Sequence, residues 1–279
     1  MNLYNVITEI EKVDPEVYDR LDGRRMAFKR FKGFATKVTV ASLPIMMASM
    51  FKKSYGQTST SIVNVLNFAL TLEFLESEFY KKGVGTAGLI AAGDMAGFTS
   101  IRDHEVAHVT ALKATITALG GTPVNFTAAS FDFTGGNGSM SGPYATVFSN
   151  YDTFLAVSQA FEDTGVRAYK GQAGNLISNN DVLQAALQIH SVEARHAAYV
   201  RYLRQKKGAT ANKPWITGND AGGVPGVAAV YAGEENTMQA GVQITGINGM
   251  SVSANAATES FDEPLTMDQV NAIVAPFII

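Results

Sequence analysis

The chain has 279 residues, 46% of them hydrophobic and 17% charged, which is ample for a sizeable core and too apolar for a disordered chain. A formal net charge of −3 excludes the basic footprint of a general nucleic-acid binder. The absence of cysteine removes disulfides, thiolate metal sites and thiol nucleophiles together, so any metal must be held by imidazole and carboxylate.

Residues 1–57 read as an N-terminal leader or extension, helical, basic and then apolar. Asp14-Pro15-Glu16 has the form of a helix start, with an Asp cap and Pro in the first turn. Arg24, Arg25, Lys29, Arg30, Lys32 and Lys37 lead into the uncharged stretch 38–51, which contains Pro44 and is too short to span a bilayer. The order resembles a twin-arginine export leader. Lys52 and Lys53 follow directly and oppose translocation, so the sequence leaves open whether the protein is exported or keeps the segment in the cytoplasm.

Helical periodicity runs over residues 60–82, 98–119, 152–175 and 181–207. In the first segment Leu66, Ala69, Leu70, Glu73, Ser77 and Tyr80 share one face; in the third, Leu155, Ser158, Gln159, Glu162, Val166 and Tyr169 do so in the same register. Gly120 and Gly208 sit where the second and fourth segments should end. The segments form a repeat: Glu73 with Tyr80 returns as Glu162 with Tyr169, and Glu105-x-x-His108 returns as Glu193-x-x-His196. Two helix pairs make an antiparallel four-helix bundle over residues 58–208.

The turn at 178–181 is short, whereas the 121–150 link between helices 2 and 3 must run the length of the bundle. Within it, 126–133 suggests a small β excursion before Gly135-Gly136-Asn137-Gly138, which reads as a turn and does not match a phosphate-binding loop. Residues 209–279 form a low-charge arm, with only Lys213, Asp220, Glu234 and Glu235 charged between Ala209 and Thr258. Such a segment is expected to pack on the bundle or on another subunit. Thr266-Met267-Asp268-Gln269 is a capping-box start to a short final helix.

Residues at i and i+3 share a helix face, so each Glu-x-x-His presents a carboxylate and an imidazole in one direction. Glu73 and Glu162 lie within apolar stripes, where a carboxylate is costly without a compensating cation or hydrogen bonds. Glu73, Glu105, His108, Glu162, Glu193 and His196 therefore form the expected ligand set for two divalent metal ions, iron first, with manganese or zinc as alternatives. Glu76 lies about 60° from Glu73 and is set aside because its counterpart in the repeat is Gly165. Glu78 points towards solvent. Tyr80 and Tyr169 are placed to reach a carboxylate or a metal-bound water. His104, His190, Arg167 and Arg195 read as surface or structural residues, the arginines in ordinary surface ion pairs. Met46, Met47 and Met50 read as apolar packing residues.

At these residues the chain resembles the ferritin-like domain family that includes desiccation-related proteins. The resemblance rests on Leu72-Glu73-Phe74-Leu75-Glu76 with Glu78-Phe79-Tyr80, and on Asp103-His104-Glu105 with His108. It continues in Phe161-Glu162-Asp163 with Gly165-Val166 and Ala168-Tyr169-Lys170-Gly171, in Val192-Glu193-Ala194-Arg195-His196, and in Phe261-Asp262-Glu263-Pro264-Leu265. It covers about residues 60–279 and implies an all-α ferritin-like bundle with a di-iron-type site. The long crossover and the C-terminal arm depart from storage ferritins and argue against a closed iron-storage shell. Two functions follow as expectations. One is a ferroxidase-like oxidoreductase that oxidises Fe(II) or reduces dioxygen or peroxide. The other is a non-enzymatic structural, assembly or stress-protective protein whose metal site only stabilises the bundle, and in either case a homo-oligomer is expected through bundle faces or the arm.

Overall fold

The structure, a computed structural model, describes residues 59–209 and 212–279. The leader expected over residues 1–57, with Arg24 and Arg25, lies outside the described residues. Four long helices dominate: α1 (Ser59–Gly85), α2 (Met95–Ala118), α3 (Tyr151–Ala173) and α4 (Asn180–Lys206). Their ends follow local chemistry. Asn150 and Asn179 accept hydrogen bonds from the backbone N–H groups of Thr153 and Val182, capping α3 and α4. Gly120 and Gly208, just past α2 and α4, adopt the positive φ that closes a helix most cheaply when no Cβ is present.

α1 packs along α2 and α3 along α4, while α1 meets α3 and α2 meets α4 across the bundle. The fold is thus the expected four-helix bundle of two helix hairpins. Among the described residues no helix is long and apolar enough to cross a membrane.

The crossover from α2 to α3 is pinned at its start by Asn67, whose amide donates to the Thr122 carbonyl and whose carbonyl accepts from Val124 N–H. The β excursion expected at 126–133 does not form. A single 3₁₀ turn (Ala128–Ser130) and one bridge between Phe131 and Ile278 stand in its place. Apart from that bridge, Phe131 and Phe133 are buried by ring packing: Phe131 contacts Phe126 and Phe133, and Phe79 contacts Phe133, Phe148, Phe154 and Phe161 at ring-centroid distances of 4.9–5.6 Å. The glycine turn that follows is organised by buried Asp132, whose carboxylate accepts from Gly138 and Met140 N–H, each at 3.0 Å.

The C-terminal arm carries short helices α5 (Ala228–Tyr231), α6 (Ala254–Thr258) and α7 (Met267–Val274), and a hairpin of β1 (Met238–Gln239) and β2 (Val242–Gln243). The capping box of Thr266 and Gln269 starts α7 as expected. The arm packs on the bundle through α3 and α4. Arg201 grips Asp163 at 2.7 Å and donates to Asn212 and to the Trp215 carbonyl. Arg204 donates to the Gly222 carbonyl at 2.8 Å, and Leu265 N–H donates to the Arg167 carbonyl at 3.1 Å. At Gly171 an added Cβ would fall 1.9 Å from the Leu265 carbonyl oxygen, so only glycine lets the arm approach this closely.

Arg167 corrects the surface assignment. It is 1% exposed, pairs with fully buried Glu234 at 2.7 Å, and donates to the carbonyls of Val230, Ala232 and Glu263. It anchors the arm. Arg195 is exposed, as expected.

Candidate metal centre

The i,i+3 spacing does locally what elementary helix geometry demands. Glu105 and His108 project from one face of α2, and Glu193 and His196 from one face of α4. Glu73 on α1 and Glu162 on α3 face the same interior. All four carboxylates are 0% exposed, and the His108 and His196 side chains are 11% and 6% exposed.

The six residues fall into two groups of four that could each hold a metal ion: Glu73, Glu105, His108 and Glu193; and Glu105, Glu162, Glu193 and His196. In each group one ligand atom per residue lies within 4.8 Å of all the others. Glu105 and Glu193 belong to both. Glu105 turns Oε2 to His108 Nδ1 at 3.0 Å and Oε1 to His196 Nδ1 at 2.8 Å. Glu193 turns Oε1 to His108 Nδ1 at 3.2 Å and Oε2 to His196 Nδ1 at 3.9 Å. Glu73 Oε2 completes the first group at 3.0 Å from His108 Nδ1, and Glu162 Oε2 the second at 3.4 Å from His196 Nδ1.

Hydrogen bonding does not account for this crowding. Each imidazole nitrogen offers one proton or one lone pair, yet each Nδ1 faces three carboxylates. Glu105 Oε1, Glu162 Oε2, both oxygens of Glu193 and His196 Nδ1 are buried without a hydrogen-bond partner of acceptable geometry. The separations do fit coordination. Ligands at about 2.1 Å around an octahedral ion lie about 3 Å apart along an edge; the carboxylates stand 3.0–3.2 Å from His108 Nδ1 and, more loosely, 2.8–3.9 Å from His196 Nδ1. A set of carboxylates and imidazoles without thiolate suits iron, manganese or zinc.

The outer oxygens are held by tyrosines in a crossed pattern. Tyr80 on α1 donates to Glu162 Oε1 at 2.5 Å, and Tyr169 on α3 donates to Glu73 Oε1. Each tyrosine therefore serves the glutamate of the opposite half. Burial first, and then the neighbouring carboxylates, raise both phenols well above the ordinary tyrosine range, so they remain donors.

The electrostatics describe a site short of positive charge. Burial pushes Glu73 up to about 7 against the opposing pull of His108. Burial, and then the charges of the other carboxylates, push Glu193 well above its ordinary value. Burial would also raise Glu105, but the close approach of His108 and then of His196 outweighs it and holds that carboxyl below the usual range. Burial alone would lower both histidines, but Glu73 first among the partners of His108, and Glu162 first among those of His196, reverse this. His108 lies well above its ordinary value and His196 at about 11. The surrounding carboxylates thus favour the charged form of both histidines.

Two residues outside the expected set also reach the site. His104 is exposed on α2, yet its Nδ1 lies 2.9 Å from His196 Nε2 with the rings stacked, orienting the nitrogen that faces away from the carboxylates. Its lateral position beside Glu105 was the one available signal. Glu76 is 3% exposed and sits against Gly165, among the same carboxylates. Burial, and then Glu193, Glu162, Glu105 and Glu73, raise it well above its ordinary value. Glu78, by contrast, pairs with Lys81 at 2.7 Å, and half-buried His190 belongs to neither group.

No curated protein matches the chain. A family model described as a ferritin-like domain matches residues 61–206, which take in the four long helices almost entirely and all six residues of the two groups. With a helix-pair repeat, an all-α bundle and a carboxylate–histidine cluster at its centre, the chain belongs to the ferritin-like domain family.

Proposed function

We propose that the chain binds a dinuclear metal centre, iron in the first instance, through Glu73, Glu105, His108, Glu162, Glu193 and His196, and that it acts as a ferroxidase-like oxidoreductase. The carrying observation is that Glu105 and Glu193 each divide their two oxygens between the two histidines, as carboxylates bridging a pair of cations do. Bound iron would supply one electron per ion, two in all, to dioxygen or peroxide. The protein's own part is to hold the ligands. Tyr80 and Tyr169 fix the terminal glutamates through their outer oxygens, and His104 fixes the ring of His196. The apolar walls of the bundle keep bulk water from the carboxylates. Anaerobic Fe(II) loading followed by an oxygen-electrode trace tests the reading. Oxygen uptake faster than that of free Fe(II) is the expected result, and uptake at the free-ion rate contradicts it.

The enclosure of the site supports a second reading, since little of either histidine side chain reaches the surface. In that reading the metal only rigidifies a stress-protective or desiccation-related bundle. Glu73→Ala combined with Glu162→Ala would then lower the melting temperature, and the wild-type chain would show no oxygen consumption to lose.

A further inference from the structure

The two halves of the metal centre are nearly symmetric, and the place where they differ is informative. The repeat sets Glu73 against Glu162 and Tyr80 against Tyr169, but it sets Glu76 against Gly165. A glycine in the middle of a long helix costs about 1 kcal/mol relative to alanine, so its presence needs a packing reason. Its neighbours supply one. A Cβ built on Gly165 would lie 3.3 Å from Glu76 Oε1 and 3.5 Å from Glu193 Oε2. A side chain here would press on the carboxylate of the first half.

We propose that Glu76 is a fifth carboxylate of the dinuclear centre, seated through the missing side chain of Gly165 beside Glu193, and that its charge tunes the pair towards trivalent ions. The inference rests on the two-metal reading given above. Glu76 lies outside both four-residue groups and against Gly165, so it would add to the pair's surroundings without replacing one of the six ligands. The charge count gives it a consequence. Four glutamates neutralise two divalent ions. A fifth leaves the divalent pair one negative charge in excess and offsets more of the charge of a trivalent pair. A buried carboxylate beside the site interacts more strongly with a triply charged ion than with a doubly charged one, because water screens it little.

The test uses the full chain as wild type, Glu76→Gln and Gly165→Ala, with two redox-inert probes, Zn(II) and citrate-buffered Ga(III). Binding is read by competition titration and elemental analysis. The ratio of Ga(III) to Zn(II) affinity should fall at least about tenfold in Glu76→Gln, which keeps the side-chain volume and removes the charge. Gly165→Ala, which keeps the charge and narrows its seat, should shift the ratio in the same direction. An unchanged ratio in Glu76→Gln, with two ions still bound, overturns the tuning role. A shift in Glu76→Gln alone overturns the seating through Gly165. A wild-type chain that takes up neither ion instead contradicts the dinuclear centre itself.

Discussion

Glu193→Gln separates a metal ligand from an ordinary buried acid. Glu193 is completely buried, and neither of its oxygens has a hydrogen-bond partner of acceptable geometry. Its carboxyl is pushed up by burial and by Glu105, Glu73 and Glu162. Without metal, exchanging it for a neutral amide of the same size relieves repulsion and supplies a donor to the remaining carboxylates, so the metal-free variant should melt no lower than the metal-free wild type. With metal the sign should reverse, because Glu193 belongs to both candidate ligand groups and its loss would weaken both. An ion present at 100 times its dissociation constant stabilises the folded state by about 2.7 kcal/mol, and two such ions by about 5 kcal/mol. For a domain of this size that is a rise of about 10–20 °C in melting temperature. Calorimetry of both proteins, with chelator and with excess Zn(II), should show the rise in wild type and its loss in the variant. A variant that melts lower than wild type without metal, yet keeps the full metal-dependent rise, would refute the reasoning.

The same charges set a pH dependence. Glu73, raised to about 7, and Glu76 and Glu193, raised well above their ordinary values, hold protons in the folded state that the unfolded chain has released. Their contribution to stability is complete below about pH 4.5 and is lost as the pH rises through their folded values, as is that of His196 from about 6.5 upward. Glu105, held below the usual range, contributes fully above about pH 4.5 and does not oppose this trend. Between pH 5 and 8 the metal-free protein should therefore lose stability while the gap to the metal-loaded protein widens; parallel melting curves would contradict this. Tyr169→Phe frees Glu73 Oε1 and should weaken metal binding about 10–100-fold in a titration, with Tyr80→Phe doing the same through Glu162. Arg167→Met leaves Glu234 buried and unpaired, and should cost about 3–5 kcal/mol in urea unfolding, most of it recovered in Arg167→Met/Glu234→Met. A single variant within about 1 kcal/mol of wild type would exclude Arg167 as the anchor of the arm.

The six residues gathered at the centre were legible because each signal was local and then repeated. An i,i+3 pair needs only helix geometry, and a second copy at matching distance supplies the partner helix. What escaped the sequence depended on contacts between elements. Gly165 looked like a missing acid opposite Glu76, whereas in the structure the glycine provides the room that Glu76 fills. Arg167 looked solvent-facing because it lies off the side of α3 that carries Glu162, but the arm covers the Arg167 side and α3 is buried nearly all round. His104 reaches His196 on a different helix, a register that periodicity within α2 cannot reveal. Phe131 and Phe133 alternate as strand residues do, but their partners are aromatic rings. The hairpin that does form turns at Ala240 and Gly241, both at positive φ, where alanine masked the usual turn signature.

The central claim is a pair of cations sharing Glu105 and Glu193. Crystals of the full chain grown with Mn(II), measured on both sides of the manganese absorption edge, test it most directly. Two anomalous peaks about 3.5–4 Å apart are expected, one beside His108 and Glu73 and the other beside His196 and Glu162, with Glu105 and Glu193 between them. A featureless map at these residues, or one peak touching neither Glu105 nor Glu193, would contradict it.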